Sequence, residues 1–279
     1  MYKIVIDSCG ELSEELKADG HFSNVPLELD VDGYQITDDE TFDQKDFLQR
    51  VKAAIHSPKS SCPSPERYMN AYEGEAEHVY VVTLSGKLSG SYNSAVLGAQ
   101  LYNEEHEENK KIHVFNSKSA SIGETLIGLK VQELEESGLS FEEVVEQVEK
   151  YIASMNTFFV LETLETLRKA GRLSNLKALV ANTLNIKPVM GATDQGVIIQ
   201  LGQARGMQKA LRLMAETITA ELEHPEEKVL GLVHCNNPER AEYVKQELMK
   251  LVKVKDIIVL ESSGVSTLYA AQGGIIIAV

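Results

Sequence analysis

Short, uncharged apolar runs recur along the chain, each closed by a cluster of small polar residues. Tyr2–Asp7, Val79–Leu84 and Ile112–Phe115 have the composition and length of strands buried on both faces, as in a parallel sheet. They end at Asp7-Ser8-Cys9-Gly10, at Ser85-Gly86-Lys87-Leu88-Ser89-Gly90-Ser91 and at Asn116-Ser117-Lys118-Ser119-Ala120-Ser121. Between and after them lie helical patterns. Phe47, Leu48, Val51 and Ile55 follow a cap at Asp43, and Ser64-Pro65-Glu66 is a helix start with serine at the cap and proline at the first turn. A helix is expected after Ser91, and two more over 124–136 and 141–152, the second opened by a capping box of Ser140 and Glu143. Asp32-Gly33 predicts a hairpin between Val25–Val31 and Tyr34–Thr37.

The pattern changes near Tyr151. An apolar run at Phe158–Leu161 is followed by Leu164, Leu167 and a predicted helix from about Asn175 bearing Leu176, Leu179, Val180 and Leu184. Ile186–Met190 and Val197–Leu201 read as strands across a Gly191–Gly196 turn. Then come a helix at 207–223, a buried strand at 229–233, a helix at 238–251, a strand at 257–260 and a last apolar run at 275–279. The expectation is an α/β protein of two domains. An N-terminal three-layer domain (1–152) holds a mainly parallel sheet, and a C-terminal α/β domain (153–279) holds a mixed one.

Composition narrows the partners. Acidic residues outnumber basic ones 42 to 27, a formal net charge of −15, which repels nucleic acid and anionic membranes. No apolar run approaches the roughly 20 residues that span a bilayer, and the N-terminus lacks a signal-peptide pattern, so stable membrane insertion is not expected. Cys9, Cys62 and Cys235 are widely spaced and form no C-x-x-C pair, which fits a reduced, cytoplasmic protein without a disulfide framework or zinc ribbon.

The strand–turn–helix at His78–Ala95 is the strongest chemical signal. Backbone N–H groups at a helix start, with Ser85, Ser89, Ser91 and Ser94 nearby, favour a small anionic head. Neither a G-x-G-x-x-G fingerprint nor a P-loop is present, and no G-x-S-x-G turn or neighbouring base activates a serine. Asp7 and Ser8 either line the crevice at the strand ends or cap the next helix. Ser60 and Ser61 lie on a loop stiffened by Pro63, which is either a binding loop or a solvated connection. Arg172 and Arg205, both in turns, have the geometry to clasp a carboxylate or phosphate, or to serve as ordinary ion pairs.

Taken together, Asp7-Ser8, Ser60-Ser61-Cys62-Pro63-Ser64-Pro65, Leu84 to Tyr92, Asn116-Ser117-Lys118, Lys169-Ala170-Gly171-Arg172-Leu173-Ser174, Ile186-Lys187-Pro188 and Arg205 with Lys209-Ala210 resemble the motifs of the DegV family, in order over nearly the whole chain. The resemblance implies a long-chain fatty acid held between two domains, with no cofactor and no metal. Its carboxylate is gripped by Ser60 and Ser89, with Ser61, Ser91 and Arg205 near the head group. It also implies lipid transport, or presentation of the acid to a separate fatty acid kinase, the binding protein itself not being an enzyme. In one departure Tyr269 stands where the family has histidine, and Ala271-Gln272 replace a glycine-rich turn. Tyrosine still donates a hydrogen bond but is larger and stays neutral at pH 7. The alternative is a serine-dependent enzyme acting on acyl or phosphoryl substrates through Ser89 or Ser117. For a fatty acid the chain dominates: burying sixteen carbons contributes on the order of 10 kcal/mol before ordering costs, and each neutral hydrogen bond about 1. Phe158, Phe159, Leu161, Leu164, Leu167, Leu176, Val180, Leu184, Ile186 and Met190 are the expected tail wall.

Overall fold

The computed structural model describes residues 1–106, 110–173 and 185–279. The expected helix from Asn175, with Leu176, Val180 and Leu184, lies outside the described residues.

Strands β1 (Tyr2–Asp7) and β2 (Phe22–Val25) are followed by a hairpin of β3 (Glu28–Val31) and β4 (Tyr34–Thr37), then β5 (Lys59–Ser61), β6 (His78–Thr83) and β7 (Lys111–Asn116). The helices among them are α1 (Glu14–Asp19), α2 (Gln44–Ala53), α3 (Pro65–Ala71), α4 (Ser91–Glu105), α5 (Ile122–Glu136) and α6 (Phe141–Ser154). Four strands form a parallel sheet in the order β2-β1-β6-β7. Successive residues of β1 serve opposite faces. Ile4 and Ile6 join Ile127, Val131, Val144 and Val148 of α5 and α6, whereas Val5 joins Tyr68, Tyr72 and Tyr102 of α3 and α4. Both faces are covered, which is why these strands are continuously apolar. The result is a three-layer arrangement, as expected.

Two details differ from the pattern. Val25–Val31 is two strands rather than one: Pro26 has no N–H to continue a ladder, so β2 ends in the parallel sheet and β3 starts a separate antiparallel one. The loop carrying Ser60 contains β5, the third strand of that small sheet, where Ser60 pairs with Leu29. Three residues between prolines are too few for a periodic signal.

The C-terminal part holds β8 (Thr157–Val160), α7 (Glu165–Lys169), β9 (Ile186–Ala192), β10 (Ile198–Arg205), α8 (Met207–Glu221), β11 (Val229–His234), α9 (Pro238–Leu251), β12 (Asp256–Glu261), α10 (Gly264–Ala270) and β13 (Ile275–Ala278). A mixed six-stranded sheet runs β10-β9-β8-β13-β11-β12, with only β11 and β12 parallel. Phe158, Val160, Leu232 and Ile277 face α8 and α9, through Leu211, Met214 and Val244. The other face turns Phe159, Ile276 and Val233 toward the N-terminal part. There α5 is buried from two sides: Ile127 and Val131 pack on the parallel sheet, Ile122 and Leu126 on Val233 and Ala278 of the mixed one.

A close approach between β11 and α5 falls at Gly231. A Cβ there would lie 2.2 Å from Ile122 Cγ1. Gly231→Ala is therefore expected to destabilise the fold by about 1–3 kcal/mol through overpacking. Adding Ile122→Ala should recover part of that loss relative to the sum of the two single changes, as read by urea unfolding.

Candidate functional site

The turn after β6 is held from three directions. Leu84 donates its N–H to Asp7 Oδ2 at 2.9 Å, Ser85 donates its N–H to the Ser119 carbonyl at 2.9 Å, and the Ser85 carbonyl accepts from Leu88 and Ser89. Helix α4 then begins at Ser91 with Gly90 as its cap, offering no side-chain acceptor. Of its first N–H groups, that of Ser91 donates to Ser89 Oγ at 3.2 Å, and the two hydroxyls lie 3.0 Å apart. Gly90 has a second role. A Cβ on it would come within 2.9 Å of Cys62 Sγ, so its bare backbone lets the Ser60–Cys62 segment close on the turn.

The third wall is α10. Its first two amides, of Gly264 and Val265, donate to the Asp38 carboxylate at 2.7 and 2.9 Å, and Ser8 Oγ donates to the same group at 2.8 Å. This anchored helix carries Tyr269, whose hydroxyl lies 3.0 Å from Ser60 Oγ. Ser8 and Asp7 thus hold the strand ends together, and the cap of α1 is Ser13. Ser121, with φ of 58°, is strained for a residue with a side chain. It is held there by its N–H to Cys9 Sγ and its hydroxyl to both oxygens of Glu11.

These elements enclose a cavity of about 310 Å³. Ser60, Ser61, Ser89 and Tyr269 line it, with Ser119, Ser121, Ser266 and Thr157 adding hydroxyls. Ser91 is buried behind Ser89 and does not itself form the wall. Arg205 stands exposed at the end of β10, outside the lining, whereas Arg172 lines the cavity and donates through Nε to the Leu88 carbonyl at 3.0 Å. Of the expected tail wall, Phe159, Leu161 and Leu167 line the cavity. Leu164 and Met190 pack in the same apolar cluster, and Phe158 faces the opposite side of its strand. Leu27, Leu84, Leu88, Ile198, Val265, Ala270 and Ile276 also line it and were not anticipated. Strand alternation was the available signal for Ile276 and Ile198. Helix α10, buried on nearly every side and only seven residues long, gave none.

The chain is matched along residues 1–279 by the family model described as DegV. It belongs to the DegV family. A DegV protein of Ruminococcus gnavus, solved with vaccenic acid, is 54% identical, with a TM-score of 0.97 over 100% of this chain and 99% of that one. The fatty acid kinase B3 protein of Streptococcus pneumoniae, loaded with linoleic acid, is 32% identical, with a TM-score of 0.89 over 100% and 98%. A DegV domain-containing protein of Streptococcus pyogenes serotype M1 is 36% identical over 281 residues, covering 99% of this chain and 98% of that one.

Two buried acids behind the cavity are strongly perturbed. Burial pushes Glu11 up to about 7 despite hydrogen bonds from Ser266 and Ser121, and Asp38 up to about 6 despite the amides of Val265 and Gly264. Raised carboxyl values mean the folded state binds protons the unfolded state has released. Their stabilising contribution is full below the ordinary carboxyl range and is lost as pH rises through about 6 to 7. Thermal unfolding scans should show a midpoint that falls between about pH 5 and about pH 8, with Glu11→Gln flattening the fall.

Proposed function

We propose that this protein binds one long-chain fatty acid, with its carboxylate at the hydroxyls of Ser60, Ser89 and Tyr269 and its chain along Phe159, Leu161, Leu167, Ile198 and Ile276. The observation that carries the reading is the composition of the cavity behind the β6–α4 turn: hydroxyls from three separate elements open onto an apolar wall. Such a site suits a singly charged head on a long apolar body. The vaccenic and linoleic acids bound by the two related proteins are ligands of that shape.

The same reading makes the protein a carrier rather than a catalyst, delivering its ligand to a fatty acid kinase, as the name of the pneumococcal relative suggests. A serine-dependent enzyme would need a base beside Ser89. The hydroxyl near it is that of Ser91, and among the described residues no histidine lines the cavity. A division near residue 152, with the ligand between the two parts, fits a cavity walled by residues from both. Free Cys9, Cys62 and Cys235 suit the reducing cytoplasm.

Native mass spectrometry of the purified protein should reveal a bound C14–C18 acid. Protein that carries none and takes up neither palmitate nor oleate overturns the reading. Ser89→Ala should weaken fatty-acid binding about 5- to 30-fold, the loss of one hydrogen bond to a charged group.

The wall supplies a separate expectation. Ile198→Trp should shift the preferred ligand toward shorter chains, as measured by competition among C12 to C18 acids. An unchanged preference would remove Ile198 from the tail path.

A further inference from the structure

Arg172 lines the cavity together with Leu88 and Ser89, yet the proposed binding gives it no task. The end of α7 explains how it comes to stand there. The helix closes in a Schellman motif. Gly171, at a φ of 77°, donates its N–H to the Arg168 carbonyl at 3.0 Å, and Arg172 donates its N–H to the Leu167 carbonyl at 2.9 Å. A Cβ at Gly171 would touch none of the described residues, so glycine serves here for its left-handed backbone alone. The motif turns the chain back and ties the Arg172 backbone to Leu167, a residue of the cavity wall.

From that anchor the half-buried guanidinium reaches the β6–α4 turn of the N-terminal part. Its Nε donates to the Leu88 carbonyl at 3.0 Å, and its Nη1 donates to the Ala170 carbonyl. Leu88 and Ser89 share a peptide unit, and the other edge of that unit is also held. The Ser89 N–H donates to the Ser85 carbonyl at 3.0 Å. The peptide that leads into Ser89 is thus bonded on both edges, by a cation from the C-terminal part and by the turn's own backbone. A guanidinium bond is charge-assisted and stronger than a neutral one. Two of the three guanidinium nitrogens are spent on carbonyls, which suits a brace better than a clasp for an anion.

We infer that Arg172 is a positioning residue for the fatty-acid head group: it holds the Leu88–Ser89 peptide from the C-terminal part and so fixes the Ser89 hydroxyl that meets the carboxylate. Without the brace the peptide is held on one edge only. Ser89 then has to be ordered at the moment of binding, and that ordering is subtracted from the affinity. The wall residue Leu167 and the head residue Ser89 are also tied to one another through this single side chain.

The head-group role rests on the fatty-acid reading; the brace itself does not. Glutamine carries Nε2 as many bonds from the backbone as arginine carries Nε, so Arg172→Gln keeps the donor to Leu88 and discards the charge. Arg172→Met keeps bulk and discards both. For palmitate binding to delipidated protein, Arg172→Gln should stay within about threefold of wild type, and Arg172→Met should lose at least about fivefold. In a Ser89→Ala background Arg172→Met should cost no more than about twofold, because the hydroxyl it positions is gone. Wild-type protein labelled with ¹⁵N at arginine gives a readout without ligand. The Arg172 Nε–H should exchange with solvent about tenfold more slowly than that of the exposed Arg205. Arg172→Gln binding as weakly as Arg172→Met, or the full loss persisting in Ser89→Ala, makes Arg172 a direct clasp and overturns the positioning role. So does Arg172→Met binding as tightly as wild type. Equally fast exchange at Arg172 and Arg205 removes the brace, even if no variant folds. Wild-type protein that takes up no palmitate but keeps the slow Nε–H sinks the functional reading, and the head-group role with it, and leaves the brace standing.

Discussion

The contact between Ile122 and Gly231 governs how much of this molecule can be polar. Helix α5 is wedged between the parallel sheet and the mixed sheet, and its first turns are buried on every side. Any carboxyl carried there must be neutral or be met by donors. The seam around it follows that rule without using a single buried lysine or arginine among the described residues. Asp38 is met by the amides of α10, Asp7 by the amides of Leu84 and Cys9, and Glu11 by Ser121. Backbone N–H groups and hydroxyls do here what cations do elsewhere.

That choice suits a site for a carboxylate on a long chain. A buried cation would hold any anion of the right size, including phosphate, whereas hydroxyls and the free amides of a helix start give a weaker, more directional grip. Tyr269 keeps to this pattern. Its hydroxyl is bonded to Ser60 and fixed on a helix that is itself pinned by an acid, in a place where the family resemblance implied histidine.

Much of the fold was legible because strand and helix periods speak through burial. The parallel strands, the capping box at Ser140 and the proline start at Pro65 all stand where the pattern put them. The polar half of the site was legible for a related reason, since hydroxyl-rich strand ends mark the crevice of a parallel sheet. What escaped was set by long-range packing. β5 is a strand only because Leu29 offers it an edge, and α10 is a helix only because Asp38, far away in sequence, caps it. Nothing in the helix pattern marks Glu124 as buried, because such a pattern cannot show a second sheet on its other side. Arg205 had the right chemistry in a turn, and its place on the exposed end of β10 depends on the register with Ile186.

One local arrangement bears on what kind of selector the cavity is. Ser60 is already bonded to Tyr269, and Ser89 to Ser91. On the proposed reading, a carboxylate entering there trades partners with these pairs instead of satisfying stranded groups, so the head sets position and supplies the smaller share of the affinity. Discrimination among acids then falls to the hydrocarbon, at about 0.8 kcal/mol per methylene, or roughly fourfold for each carbon that fits. Such a pocket works as a ruler with a polar zero mark: the hydroxyls say where the measurement begins, and the wall decides how long an acid may be.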